Sequence, residues 1–110
     1  MAKRRKSAEI ERSSGNVFTD LGLPDAVELD TKMRLAVAIN RLLTAKHLTQ
    51  ADAAARLSIN QPKISALKNY KLEGFSVERL MGFLTALGSD IEIRIGPPKR
   101  SPGRIVVEAA

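Results

Sequence analysis

Apolar residues recur along this chain at two different periods. Leu35, Ile39, Leu42 and Leu43 follow the i, i+4, i+7, i+8 spacing of a helix with one buried face. They place a long helix at about residues 25–46, entered through Leu23-Pro24, with an interruption allowed near Asp30. Thr49 is a good N-cap for a second helix, and the alanines 51, 53, 54 and 55 are strong helix formers. That helix closes at Leu57, and Ser58-Ile59-Asn60 forms a turn with Ile59 as its buried plug. Asn60 caps a third helix, where Pro62 is tolerated because first-turn N–H groups have no intrahelical partner. Ile64 and Leu67 share its inner face, leaving Gln61, Pro62, Ser65, Ala66 and Asn69 outward. Leu72 and Phe75 sit in a loop as core plugs. Ser76 caps a helix over residues 77–87, with Leu80, Phe83, Leu84 and Leu87 inward and Gly88 as its left-handed stop.

Beyond Gly88 the period changes. Ile91, Ile93 and Ile95 alternate with Glu92 and Arg94, the two-residue repeat of a half-buried strand over residues 90–95. A lone strand in a helical domain exposes unpaired backbone groups. The economical solution is the same strand from a second copy, paired antiparallel, so Ile91, Ile93 and Ile95 are the expected dimerisation residues. Pro97-Pro98 ends it. Ile105-Val106-Val107 reads equally as a second strand or as a tail that orders on a partner.

Composition narrows the class. A chain of 110 residues holds one small domain, and few aromatics with abundant Ala and Leu favour an all-α fold. There is no cysteine, which removes disulfides, thiolate metal sites and thiol nucleophiles and fits a reducing cytoplasm. No apolar run approaches the roughly 18 residues that a membrane span needs. His47 is the only histidine, and its plain role is to help end the first helix. No acid–base pair, metal-ligand cluster or Gly-rich phosphate loop is present, so neither an enzyme nor a metal or cofactor is expected.

The net charge of +6 is unevenly placed. Residues 1–12 carry +3 and residues 96–110 carry +2, leaving +1 for the body. Residues 1–15 read as a basic arm, 16–95 as the folded domain and 96–110 as a tail. Asp20, Asp25, Glu28 and Asp30 make an acidic entry, whereas residues 53–72 contain no acid but do contain Arg56, Lys63, Lys68 and Lys71. A basic stretch is commonly only a solvated face. Here it coincides with two short helices joined by a tight turn, where a phosphate backbone would need it. Gln61 can pair bidentately with adenine, and its plain alternative is an exposed first-turn residue. Arg56, Lys63, Lys68 and Lys71 suit phosphates, and Asn60 and Ser65 can reach base or phosphate.

The string LTQADAAARL, a three-residue turn and QPKISALKNYKLEGFSVERLMGFLTALG resembles the XRE/Cro-repressor type of helix-turn-helix. With the lead-in Phe18-Thr19-Asp20-Leu21-Gly22-Leu23-Pro24, it is similar to the subgroup of small HigA-like antitoxins and regulators. The resemblance covers residues 16–95. It implies a five-helix, lambda-repressor-like bundle that binds operator DNA as a homodimer. It implies that Gln50 bonds a phosphate and that Gln61 and the face after it read bases. Antitoxin members also hold a RelE/HigB-like endoribonuclease toxin and repress their own operon. The family's turns usually carry Gly where this chain has Ser58, and often where it has Tyr70; Asn69 is expected to supply a left-handed residue instead. Pro62 and Ala66 replace longer polar side chains, which shifts reading toward methyl contacts and DNA shape. Two alternatives stand beside the autorepressing antitoxin. One is a stand-alone XRE-type repressor, and the other a protein-interaction module that uses the helix-turn-helix as scaffold.

Overall fold

The computed structural model describes residues 24–109. The basic arm and the lead-in over residues 16–23 lie outside the described residues. The element order is α1 (Pro24–Ala45), α2 (Gln50–Leu57), α3 (Gln61–Lys68) and α4 (Val77–Ala86). Helix α1 runs through Asp30 without a break. Asp30 and Thr31 cost a helix interior only a few tenths of a kcal/mol each, about 0.7 at most, which a long helix absorbs.

Side chains start three of these helices. The Thr49 hydroxyl accepts from Asp52 N–H at 3.0 Å, and the Asp52 carboxylate accepts from Thr49 N–H at 3.3 Å, closing a capping box. The Asn60 Oδ1 accepts from Lys63 N–H at 2.9 Å, and the Ser76 hydroxyl from Arg79 N–H at 3.0 Å. Each cap satisfies a first-turn donor and contributes about 1 kcal/mol.

All four helices stop in the same way. A residue with positive φ turns the chain, and the next N–H reaches back five residues to a last-turn carbonyl. His47, Ser58, Tyr70 and Gly88 hold the left-handed position, at φ 56°, 58°, 59° and 96°. The returning bonds are Leu48 N–H to Leu43 O, Ile59 to Ala54, Lys71 to Ala66 and Ser89 to Leu84, between 2.8 and 3.1 Å. Asn69 is therefore not the left-handed residue after α3; its φ is −100°, and Tyr70 takes the role. His47 ends α1, as the sequence suggests.

The core gathers one face of every helix. Ile39 and Leu43 of α1, Ile64 and Leu67 of α3 and Leu80 of α4 are fully buried, and α2 adds Ala53, Ala54 and Leu57. Burying a Leu or Ile side chain contributes about 1.5–3 kcal/mol, so this cluster dominates stability. Leu72 and Phe75 plug it from the α3–α4 loop, and Phe75 meets Phe83 edge-on at 5.8 Å. Ile59 packs against the same cluster from the turn.

Two expectations need correction. The described residues form four helices, not five. Residues 90–95 are not a strand; among the described residues there is no strand at all. Residues 89–109 follow α4 without regular structure. The reason is elementary: a strand is defined by its ladder, and a single chain with no other strand has nothing to ladder with. Ile91 packs against the core, while Ile93 and Ile95 are 76% and 90% exposed. No helix among the described residues is long and apolar enough to cross a membrane.

Candidate nucleic-acid interface

Helices α2 and α3, joined by Ser58-Ile59-Asn60, form the unit that carries the candidate residues. The small Ala53 and Ala54 on the inner face of α2 let α3 and α4 pack against it closely. Helix α3 is held by Ile64 and Leu67, both with no exposed surface. A third tie comes from α1: Asn40 Nδ2 donates to the Leu67 carbonyl at 3.2 Å, across 27 positions of sequence. That carbonyl lies in the last turn of α3, where helix acceptors lack intrahelical donors. The Asn40 Oδ1 is buried and meets no hydrogen-bond donor among the described residues.

These anchors leave the N-terminal half of α3 standing out. Gln61, Pro62 and Lys63 are all exposed. The first turn of α3 holds no acid, so although Pro62 has no N–H and Asn60 caps the Lys63 N–H, no carboxylate offsets the positive end of its dipole. The first turn of α2 differs, because Asp52 already sits on it. Gln50, at the first position of α2, is exposed.

The remaining candidates fall into two groups. Arg56, Lys68 and Lys71 are exposed, the first two in the last turns of α2 and α3. Their charges lie where flexible cations can meet a phosphate backbone. Asn60, Ser65 and Lys63 are partly engaged inside the protein. The Asn60 carbonyl oxygen caps α3, which leaves its amide NH2 end for a ligand. Ser65 is half-buried, and Asn69 Nδ2 lies 2.9 Å from its carbonyl and 3.5 Å from its hydroxyl. Lys63 Nζ lies 5.4 Å from the centre of the Phe75 ring. A cation over an aromatic face is held there by about 0.5–1 kcal/mol at an exposed site, so Lys63 is pre-positioned and still able to swing outward.

Asn40 and the Phe75 platform under Lys63 escape a reading of spacing alone. Asn40 does leave a signal, since Asn is disfavoured inside helices and here interrupts the flank of a buried stripe. Its partner, a backbone carbonyl, carries no residue-type signature. No group of acidic or histidine side chains among the described residues is placed to hold a metal ion.

Comparison with known proteins agrees with this geometry. A helix-turn-helix domain family model matches residues 17–96. A solved chain provisionally described as an XRE family transcriptional regulator shares 61% sequence identity. The match covers 79% of this chain and 100% of that one, with a TM-score of 0.71. No curated protein matches the chain. The buried anchors of α3, the capped three-residue turn and these two matches agree, and the chain belongs to the XRE-type helix-turn-helix family.

Proposed function

We propose that this protein is a sequence-specific, DNA-binding transcriptional regulator that works as a homodimer. The observation that carries the reading is the presentation of α3. Its inner side chains are fully buried, its C-terminal carbonyl is tied by Asn40, and its exposed N-terminal turn is free of acid. A rigid helix with an exposed, electropositive N-terminal half suits the major groove. Gln61 stands at its first position, where a bidentate pair with adenine is worth about 1–3 kcal/mol of discrimination. Gln50, Arg56, Lys68 and Lys71 supply phosphate contacts, and Lys63 joins them from its rest over Phe75. Asn60 and Ser65 add shorter-range contacts at the turn side of α3. Repression is steric, with two copies covering half-sites about one helical turn apart.

The finer role we assign is an autorepressing antitoxin, on the strength of the lead-in from Phe18 to Pro24 and its likeness to HigA-like members. A neighbouring reading frame for a small basic endoribonuclease supports the antitoxin, and its absence favours the stand-alone repressor. The primary test is binding of the purified chain to its own upstream DNA and to random DNA across a salt series. Tight, selective binding with a steep salt slope supports the reading. Equal, weak binding to both DNAs at low salt refutes sequence-specific binding by the chain alone.

A further inference from the structure

Four cations of this chain stand where neither the fold nor the helix-turn-helix uses them. From Ile93 to Val107 the sequence holds Arg94, Lys99, Arg100 and Arg104 and no acid. The reading unit over residues 53–72 has the same make-up, four bases and no acid. Between the two lie Glu73, Glu78, Asp90 and Glu92 against the single Arg79. The four cations after α4 are exposed and form no ion pair among the described residues.

The segment that carries them is a loop tied at both ends. Ile91 and Val107 pack against the core, and residues 92–106 between them are all exposed. A Cβ placed at Gly96 or Gly103 meets nothing within 4 Å, so the loop stands clear of the domain at both points. Its backbone is restricted in advance. Pro97, Pro98 and Pro102 fix φ at about −65° and push the residues before them toward extended conformations.

We propose that this loop enters the minor groove of the DNA held by α3, with Arg100 and Arg104 in the groove and Arg94 and Lys99 on its phosphates. The inference rests on the DNA-binding reading above and adds a second contact to it. The minor groove, about 6 Å wide, excludes a helix but admits an extended chain. Where A·T pairs narrow it, its negative potential draws in cationic side chains. Three of the four cations are arginine, whose head group is less strongly hydrated than an ammonium and carries five donors and no acceptor. The floor of the groove at an A·T pair presents acceptors alone. Reach permits the contact. Doubled back between its anchors, the loop extends at most about 25 Å. A major and a minor groove together measure roughly 18 Å, so the groove adjoining a docked domain lies within that span. Tied ends and proline-restricted backbone leave little freedom to lose on binding.

The test isolates the minor groove from α3. Two duplexes share one random sequence unrelated to the upstream DNA. In the second, every guanine is replaced by inosine, which removes the minor-groove amino group and leaves the major-groove edge unchanged. Fluorescence anisotropy across a salt series compares the full-length chain with two double variants, Arg100→Gln with Arg104→Gln and Arg100→Lys with Arg104→Lys. Both sites are exposed, so the melting temperature should not move.

The unaltered chain is expected to bind the inosine duplex about fivefold tighter or more. The glutamine variant should lose that preference, and its salt slope should fall by about 2. The lysine variant should keep the slope and lose most of the preference, because it keeps the charge without the planar donor fork. A glutamine variant that binds the inosine duplex as tightly as the unaltered chain overturns the contact. A loss of equal size on both duplexes overturns the minor-groove placement, and so does tighter loop-dependent binding to duplex RNA of the same sequence. Neither duplex contains the upstream sequence, so a failure of selective operator binding is seen separately.

Discussion

Helices α2 and α3 are near twins in backbone and opposites in use. Each has eight residues, a side-chain N-cap and a left-handed C-terminal turn held by a non-glycine residue. Their surfaces diverge. Helix α2 spends its inner face on two alanines and Leu57 and neutralises its N-terminus with Asp52. Helix α3 is gripped by two large side chains, has an acid-free first turn and carries Lys63 and Lys68. Equal local geometry therefore leaves one helix as a close-packed brace and the other as a presented surface. The difference lies in a few side chains: small against large inside, acid against none at the N-terminus.

The comparison breaks most severely in the core. Ile64→Ala removes an anchor with no exposed surface and should cost about 2–5 kcal/mol in urea unfolding followed by circular dichroism. Loss below about 1 kcal/mol would mean that α3 is not held by this side chain. Next in size is Gln61→Ala, expected to lower discrimination between operator and random DNA by about 1–3 kcal/mol while leaving the melting temperature unchanged. Lys68→Ala should weaken both DNAs alike and reduce the salt slope by about 1.

The N-caps sharpen the contrast further. Thr49→Ala and Asn60→Ala should each lower stability by about 1 kcal/mol, several degrees in a domain of this size. Only Asn60→Ala should also weaken operator binding, because only the α3 cap borders the presented face. Equal losses of binding from both would dissolve the distinction between brace and reader. The smallest effect is a gain. Ser58→Gly or Tyr70→Gly replaces a side chain at φ near 60°, and relief of that strain should stabilise the fold by about 0.5–1 kcal/mol in a thermal melt.

Much of this arrangement follows from spacing and capping chemistry. The 3.6-residue stripes, the caps at Thr49, Asn60 and Ser76 and the stop at Gly88 are local events, decided within one or two turns of chain. Local physics also places Gln61 and the lysines outside, because Ile64 and Leu67 must face in. Departures arise where hydrogen bonding, and not residue preference or period, decides a residue's fate. Tyr70 rather than Asn69 turns left-handed, because the Schellman bonds to Leu67 and Ala66 set the position and not residue preference. The alternating segment 90–95 has the period of a strand but no ladder, since pairing depends on a second strand that α1 to α4 do not contain.

The residues of this chain thus carry its helices, their ends and the outward face of α3, all of which depend on neighbours within a few positions. Packing alone brought Asn40 to the Leu67 carbonyl and Phe75 beneath Lys63. Those contacts join residues far apart in the chain, and their partners, a backbone oxygen and the face of a core ring, leave no mark in a linear pattern.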